Sequence, residues 1–441
     1  MHWPTMPDAA ASQVLALLFQ LERTQWLPPQ ELQALQLRQL TLALTHAVNT
    51  VPYYRQHLLP VWTPQLELTI DIVQRFPLLT RRHLQDHHAE LISTAPPAQH
   101  GGAGLIHTSG STGSPVSVLR TVLDSLFWKV FTLREHVWHR RDLGAKLSAI
   151  RQGLGEEEGD NWGAATNGIF RTGPASTLPV SRDIETQLRW LEAQRPAYLM
   201  THPSNLEALA RHCIDHDIHM PYLREARTRG EALAADLREL CREAWGIPVV
   251  DMYSSNECGY IALQCPETDH YHVMAEGLLV EVIDDEGHAC APGQTGRIVV
   301  STLHNFAMPL IRYEIGDLAE VGAPCACGRG LPVLARILGR ERNMFVLANG
   351  KRFWPSFGLR GLSRELGIRQ HQLVQKSFEL IEARLVVDAP LDAAQEARLR
   401  RHLLSFVPEG FRAEFSYCTE IPRSASGKFE DFVSEVIQPG R

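Results

Sequence analysis

No stretch of this chain approaches the ~20 uncharged apolar residues needed to cross a bilayer, which argues against a membrane span. The opening residues, Met1-His-Trp-Pro-Thr-Met-Pro-Asp8, lack a basic region leading into an apolar core, so a cytoplasmic protein without a secretory signal is expected. Basic runs are missing as well. The formal net charge is −7, and neither nucleic acid nor a membrane surface is an expected partner. Cysteine is sparse, eight residues in 441, and its spacing is not that of a disulfide framework. Internal repeats and low-complexity tracts are absent. What is there is an ordinary globular composition, 44% hydrophobic, long enough for two unequal domains.

Residues 10–48 read as two amphipathic helices, with Leu15, Leu17, Leu18 and Leu21 in the first and Leu32, Leu35, Leu37 and Leu40 in the second. Val51-Pro-Tyr-Tyr-Arg55 closes the second. In Phe76-Pro-Leu-Leu-Thr-Arg-Arg-His-Leu84 the threonine suits a helix N-cap. Farther on, Phe127, Phe131 and Trp138 share one helix face, which packs a core by default and lines a pocket in the second reading.

From about 145 to 257, short β-rich runs alternate with amphipathic helices. Leu147-Ser-Ala-Ile150, Tyr198-Leu-Met200, Ala226-Arg-Thr228 and Val249-Val-Asp-Met-Tyr253 are the strands, and 183–194, 204–216 and 231–245 the helices. Such alternation gives a mostly parallel sheet, whose ligands bind beyond the carboxyl ends of the strands. Those ends carry Thr201-His202-Pro203-Ser204, Arg229-Gly230-Glu231 and Tyr253-Ser-Ser-Asn-Glu257. Residues 278–303 read as antiparallel strands, and the final hundred residues carry their own apolar segments and a helix over 392–406. The expected class is α/β: a large N-terminal domain over 1–340 with mostly parallel sheets and a small β subdomain, then a small mobile α+β C-terminal domain over 341–441.

Two local patterns carry chemistry. His107-Thr-Ser-Gly-Ser-Thr-Gly-Ser-Pro115 packs glycines and hydroxyls together after the apolar Gly104-Leu105-Ile106; taken alone it is either a flexible surface turn or a cradle for phosphate oxygens. It is not a Walker A loop, because no Lys-Ser/Thr pair follows Gly113. Cys213 and Cys241 fall in helical patterns as small hydrophobes, whereas Cys265, Cys325 and Cys327 fall in turn-rich segments, and Cys325-Ala-Cys327-Gly-Arg resembles half of a metal knuckle.

In series these motifs resemble the adenylate-forming superfamily of acyl-CoA synthetases, and within it the phenylacetate-CoA ligase and capsule-associated branch. Thr108-Ser-Gly-Ser-Thr-Gly113 is similar to the family's phosphate loop, Tyr253-Ser-Ser-Asn-Glu257 to its Tyr-Gly-x-Thr-Glu segment and Tyr313-Glu-Ile-Gly-Asp317 to its Tyr-x-Thr-Gly-Asp. Gly339-Arg340 resembles the start of its hinge, and Pro422-Arg-Ser-Ala-Ser-Gly-Lys428 its C-terminal lysine motif. Branch assignment rests on Val51-Pro-Tyr-Tyr-Arg55, Phe76-Pro-Leu-Leu-Thr80, Arg229-Gly-Glu231 and Pro324-Cys-Ala-Cys-Gly-Arg329.

The resemblance implies activation of a small, aromatic or other organic carboxylic acid by ATP to acyl-AMP with release of pyrophosphate, then transfer to a thiol. Coenzyme A is the expected acceptor; the phosphopantetheine of an acyl carrier protein, or an amine, stays open, as does a homodimer. A non-catalytic nucleotide- and zinc-binding protein is the reading from another class, against which Lys428 and Asp317 count. By resemblance, Thr108, Ser109, Gly110, Ser111, Thr112 and Gly113 would cradle phosphates, Thr112 also serving catalysis, and Glu257 would hold Mg²⁺. Gly230, Glu231, Tyr253, Ser254, Asp317 and Arg340 would bind the nucleotide, with Asp317 on the ribose hydroxyls. Phe131, Thr201, His202 and Tyr253 would face the acid, Lys428 would bring the mobile positive charge, and Arg342 would be the hinge. Three departures stand out: Ser114 where a lysine is usual, Ser254 where glycine is, and Ile315 where threonine is. Cys265, His272, Cys325 and Cys327 would bind one structural Zn²⁺, with His270 as an alternative to His272.

Overall fold

The computed structural model describes residues 6–107, 116–234, 236–340, 343–353, 357–424 and 427–436. Residues 108–115, the expected phosphate loop, and Arg342, the expected hinge, lie outside them. The chain divides into two compact units, Met1–Ile337 and Leu338–Arg441.

The first unit opens with α1 (Ala9–Thr24) and α2 (Pro29–Thr50), which bury Leu18, Leu21, Leu32 and Leu40 of the expected leucine stripes, while Leu15, Leu17 and Leu37 are half-buried and Leu35 faces outward. Short helices α3 (Pro52–His57), α4 (Ile70–Val73) and α5 (Arg81–Asp86) follow. Thr80 caps α5, its hydroxyl accepting from the His83 N–H while the His83 ring returns a bond to the Thr80 N–H. The buried Tyr54 ties this module down, its hydroxyl donating to the Pro309 carbonyl at 2.7 Å and accepting from the Ile311 N–H at 3.1 Å.

Strands β1 (Ala103–His107) and β2 (Ser117–Thr121) pair antiparallel on either side of residues 108–115 and run into α6 (Val122–Trp138). Thr121 and Asp124 form a capping box at the start of α6. The βα units come next: β3 (Leu147–Arg151), β4 (Glu157–Gly159), β5 (Ala175–Pro179), α7 (Ile184–Gln194), β6 (Tyr198–Thr201), α8 (Pro203–Asp215), β7 (Glu225–Arg229), α9 (Leu237–Trp245) and β8 (Val249–Ser255). Strands β5, β3, β6, β7 and β8 are hydrogen-bonded in that order, all parallel. Ile150, Leu178, Leu199, Ala226 and Val249 point to the side packed by leucines of α7, α8 and α9, and Arg227 points the other way, onto Glu135 of α6. A strand covered on both faces reads as a dense buried run, and β7 is buried at all but its last residue.

The sheet then changes sense without ending. Strands β9 (Gly259–Gln264), β10 (Tyr271–Val273), β11 (Leu278–Ile283), β12 (Thr295–Thr302), β13 (Tyr313–Val321) and β14 (Val333–Arg340) complete a twelve-stranded sheet ordered β11-β12-β13-β14-β10-β9-β8-β7-β6-β3-β5-β4. The α/β class holds, and the antiparallel strands that the sequence sets apart continue the parallel sheet through the β8–β9 hairpin. Helix α9 begins later than residue 231, because Glu231 is used elsewhere: its carboxylate accepts from the Ser204 N–H (2.9 Å) and hydroxyl (3.0 Å), capping α8, whose own N-cap His202 makes no side-chain cap.

In the second unit, β15 (Phe345–Val346) pairs with β16 (Arg352–Phe353), and α10 (Arg360–Glu365) precedes β17 (Ile368–Gln375) and β18 (Leu380–Val387). Helix α11 (Ala393–Leu404), β19 (Arg412–Tyr417) and β20 (Phe432–Ser434) complete it as a four-stranded sheet ordered β19-β18-β17-β20. Leu399 and Leu403 of α11 join Leu373, Ile381 and Leu385 in its core.

Candidate functional site

Register brings the carboxyl ends of the parallel strands to one level. Thr201 pairs with Thr228 and Arg229 with Met252, so His202, Gly230 and Tyr253 emerge side by side. Gly230 has φ 87°, the left-handed conformation that turns the chain off β7. Thr201 and His202 are both buried and engaged with main chain, the threonine hydroxyl donating to the Ile150 carbonyl (2.8 Å) and the His202 Nδ1 lying 3.1 Å from the Arg229 carbonyl. Tyr253 donates to the Asp317 carboxylate at 2.7 Å. Two residues expected in one nucleotide site therefore touch, although 64 positions separate them. Ser254 sits at a register shift between β8 and β9. Glu257 is buried, yet its carboxylate has no hydrogen bond or ion pair among the described residues, and an unpaired buried charge calls for a cation.

Two adjoining cavities lie between α6 and the sheet. One is a small cleft lined by Phe127, Phe131, Tyr260, Gly277 and His304 among others. Gly277 makes room there, since a Cβ would come within 3.0 Å of the Phe131 ring. The second runs from Ile106, just before the expected phosphate-loop residues, past Arg120, Trp128 and Gly259 to Arg229, Ser254, Ser255 and Asn256. Arg120 and Trp128 line both. Thr201 and His202 line neither, so the α6 aromatic that faces the strand ends is Trp128, one turn before Phe131. Sequence reading missed Trp128 and Arg120, and gave Arg229 no role of its own. The available signal was an arginine closing a strand whose neighbours are buried.

Beneath this edge, buried charges fix α6 to β7. Glu135 accepts from Arg141 (2.8 Å) and pairs with Arg227, and Arg141 also donates to Glu225 at 2.6 Å. Burial would raise the Glu135 carboxyl, but the Arg141 and Arg227 guanidinium groups outweigh it and hold the group well below the usual range.

The cysteine cluster assembles in the antiparallel half of the same unit. The ligating atoms of Cys265, His272, Cys325 and Cys327 all lie within 4.8 Å of one another. Cys265 and Cys325 sulfurs are 3.8 Å apart, and the Cys327 sulfur is 3.4 Å from the His272 Nε2. Tetrahedral coordination at about 2.3 Å for Zn–S and 2.0–2.1 Å for Zn–N puts sulfurs roughly 3.8 Å apart and sulfur roughly 3.6 Å from nitrogen, so the four residues fit that ion. Burial, with His270 and Arg329 nearby, lowers His272 to about 3, which leaves the neutral imidazole that a metal needs. Arg329, two residues past Cys327, lies between the Trp26 and Trp138 rings (4.8 and 4.5 Å) and donates to Gln25 at 2.9 Å. The knuckle thereby grips the turn between α1 and α2.

In the second unit, Lys428 is half-buried, and its carbonyl accepts from the Ser424 N–H at 2.9 Å. Arg340 belongs to the same unit.

Residues 44–308 match the family described as AMP-binding enzyme. The chain belongs to that family. It is 28% identical over 354 residues to a phenylacetate-coenzyme A ligase of Thermus thermophilus, with 75% of each chain covered. The phenylacetate-coenzyme A ligase of Escherichia coli is likewise 28% identical, over 74% of this chain and 75% of its own. Among solved structures, a 2-hydroxyisobutyryl-CoA ligase in the postadenylation state superposes with a TM-score of 0.73 at 20% identity, covering 94% of this chain and 92% of that one. Among the described residues, no helix is long and apolar enough to cross a membrane.

Proposed function

We propose that this protein is an AMP-forming acid–thiol ligase. The carboxylate of a small organic acid attacks the α-phosphorus of ATP, pyrophosphate leaves, and the acyl-AMP formed gives its acyl group to the thiol of coenzyme A, releasing AMP. The observation that carries this reading is the strand edge itself: the Tyr253–Asp317 pair, the capping Glu231 and Glu257, buried without a partner among the described residues, lie along the edge of a cavity that begins at Ile106, two residues before the hydroxyl-rich segment. The phenylacetate-coenzyme A ligases of similar sequence support the same class of reaction and an aromatic acid.

In this reading the hydroxyls and amides of residues 108–113 surround the phosphates. Asp317 exchanges its tyrosine partner for ribose hydroxyls, and Gly230 with Glu231 flanks the base. A magnesium ion held by Glu257 would neutralise phosphate charge. Lys428 adds a positive charge where negative charge develops in the first step, and rotation about Arg342 withdraws it before the thiol arrives. A structural zinc ion on Cys265, His272, Cys325 and Cys327 completes the proposal, supported by the fit of their separations to a tetrahedron. ATP–pyrophosphate exchange across a panel of carboxylic acids tests the first step, and thioester formation with coenzyme A tests the second. Exchange with none of the acids would refute the assignment.

A further inference from the structure

Three guanidinium groups stand at the carboxyl edge of the parallel strands on the α6 side. Arg227 is matched by Glu135. Arg229, two residues on and so on the same face of β7, has no carboxylate within ion-pair distance among the described residues. Neither has Arg151 at the end of β3: Ile150 beside it faces α7 and α8, so Arg151 faces α6, and among the described residues its one side-chain hydrogen-bonding contact is with the Met200 sulfur at 3.9 Å. Burial, and then the charge of Arg229, lowers the Arg151 guanidinium to about 10. A protein that buries Glu135 only with two arginines around it leaves these two without an anion among the described residues. Trp128 of α6 walls the cavity that Arg229 lines.

Resting on the ligase reading above, we propose that the acid accepted here carries a second anionic group, a carboxylate or sulfonate, which Arg229 and Arg151 hold while its first carboxylate is adenylated. Position separates Arg151 from phosphate binding, while Arg229 stands between the two regions. The expected phosphate loop leads into β2, and Asn256 and Glu257 follow β8, whereas Arg151 lies three strands from β8 in the order β8-β7-β6-β3. At about 4.8 Å per strand that is roughly 14 Å from the end of the sheet where the phosphates would sit. An acid placed between the nucleotide and β3 presents its far end to the two arginines, and charge-assisted, bidentate recognition of a planar anion is what arginine does best.

The test is ATP–pyrophosphate exchange with matched acids: benzoate and 4-methylbenzoate against phthalate, isophthalate, terephthalate and 4-sulfobenzoate, with phenylacetate and 4-carboxyphenylacetate as a longer pair. The expected result is a kcat/KM at least about tenfold higher for the best doubly anionic acid than for its neutral-tailed match. Arg229→Gln and Arg151→Gln should each collapse that ratio about tenfold, and Arg229→Lys should restore part of it. Monoacids preferred throughout would overturn the inference and leave the ligase reading standing. A ratio unmoved in both variants while KM for ATP rises would assign the arginines to phosphate and overturn it too. Exchange with neither series would overturn both.

Discussion

The two halves of the large sheet treat their polar groups in opposite ways. In the antiparallel half, four potential ligands converge from two hairpins onto one point, and the arginine beside them is already sandwiched between two tryptophans. At the edge of the parallel half, Glu257, Arg229 and Arg151 stand without ion-pair partners among the described residues, and Tyr253 there reaches across to Asp317 of β13. The difference follows from topology. Antiparallel neighbours return side chains to one another through short turns, so a site closes on itself. Parallel strands all end on one edge and their chains leave into helices, so the polar groups there are completed by something that binds. A closed site stabilises, an open one works.

The largest expected effect is on the reaction proposed for the open site and leaves the closed one untouched. Lys428→Ala should lower ATP–pyrophosphate exchange by about 10²–10³-fold, as removal of one charge-stabilising donor does. It should still convert chemically supplied acyl-AMP and thiol to thioester. Equal losses in the two half-reactions would make the lysine structural.

The converse experiment breaks the closed site. Protein purified without added zinc should carry about one equivalent per chain, and Cys325→Ser or chelation should remove it. Because binding energy at such a site is folding energy, the melting temperature should fall by at least about 5 °C. The loss should appear in protease sensitivity around the α1–α2 turn, where Arg329 docks. A metal-free protein of unchanged stability would refute the site.

Next in size is a contrast within α6. Phe131 is almost wholly buried against Tyr260 and Gly277, so Phe131→Ala should cost about 3–5 kcal/mol of stability. Trp128 is 37% exposed and shared by both cavities, so Trp128→Ala should leave the fold intact and shift preference toward bulkier acids by about tenfold. An unchanged acid profile in Trp128→Ala would remove that wall from the substrate site.

Much of this was legible in the sequence, for identifiable reasons. The βα alternation was readable because apolar period and turn chemistry agree at Leu147, Tyr198, Ala226 and Val249. The cysteine cluster was readable because thiols are rare here and three of them fall in turns. Strand β5 was missed: it follows Gly173-Pro174 and ends on Pro179, punctuation that masks a strand whose partners β3 and β4 come from elsewhere in the chain. The beginning of α9 was misplaced because Glu231 serves a helix 27 residues upstream. Nothing in the sequence distinguishes Arg151 and Arg229 from other arginines at strand ends. Only the pairing of Arg227 with Glu135, a contact across 92 residues, sets them apart.

The smallest expected effect lies on the seam between the two halves. Asp251 of β8 accepts from Thr228 of parallel β7 at 2.6 Å and from Tyr271 of antiparallel β10 at 2.8 Å. Burial raises its carboxyl to about 6 although both hydroxyls, and Arg238, favour the charged form. A carboxyl raised from about 3.9 in the unfolded chain costs nothing below pH 4. The cost grows as pH rises toward 6 and levels off above it, at about 3 kcal/mol by linkage. Asp251→Asn removes that penalty but also weakens two hydrogen bonds to a charged acceptor, each worth about 1.5–3 kcal/mol, so the net change at pH 7 should be near 1 kcal/mol or less. The sign of the pH dependence is the sharper test. Relative to the parent, the asparagine variant should gain stability between pH 4 and 6.5 and hold a constant difference above that, measured by urea unfolding at each pH. A difference that is flat across this range would mean that Asp251 titrates as in the unfolded chain, and the seam would then be an ordinary surface-like contact between the two halves.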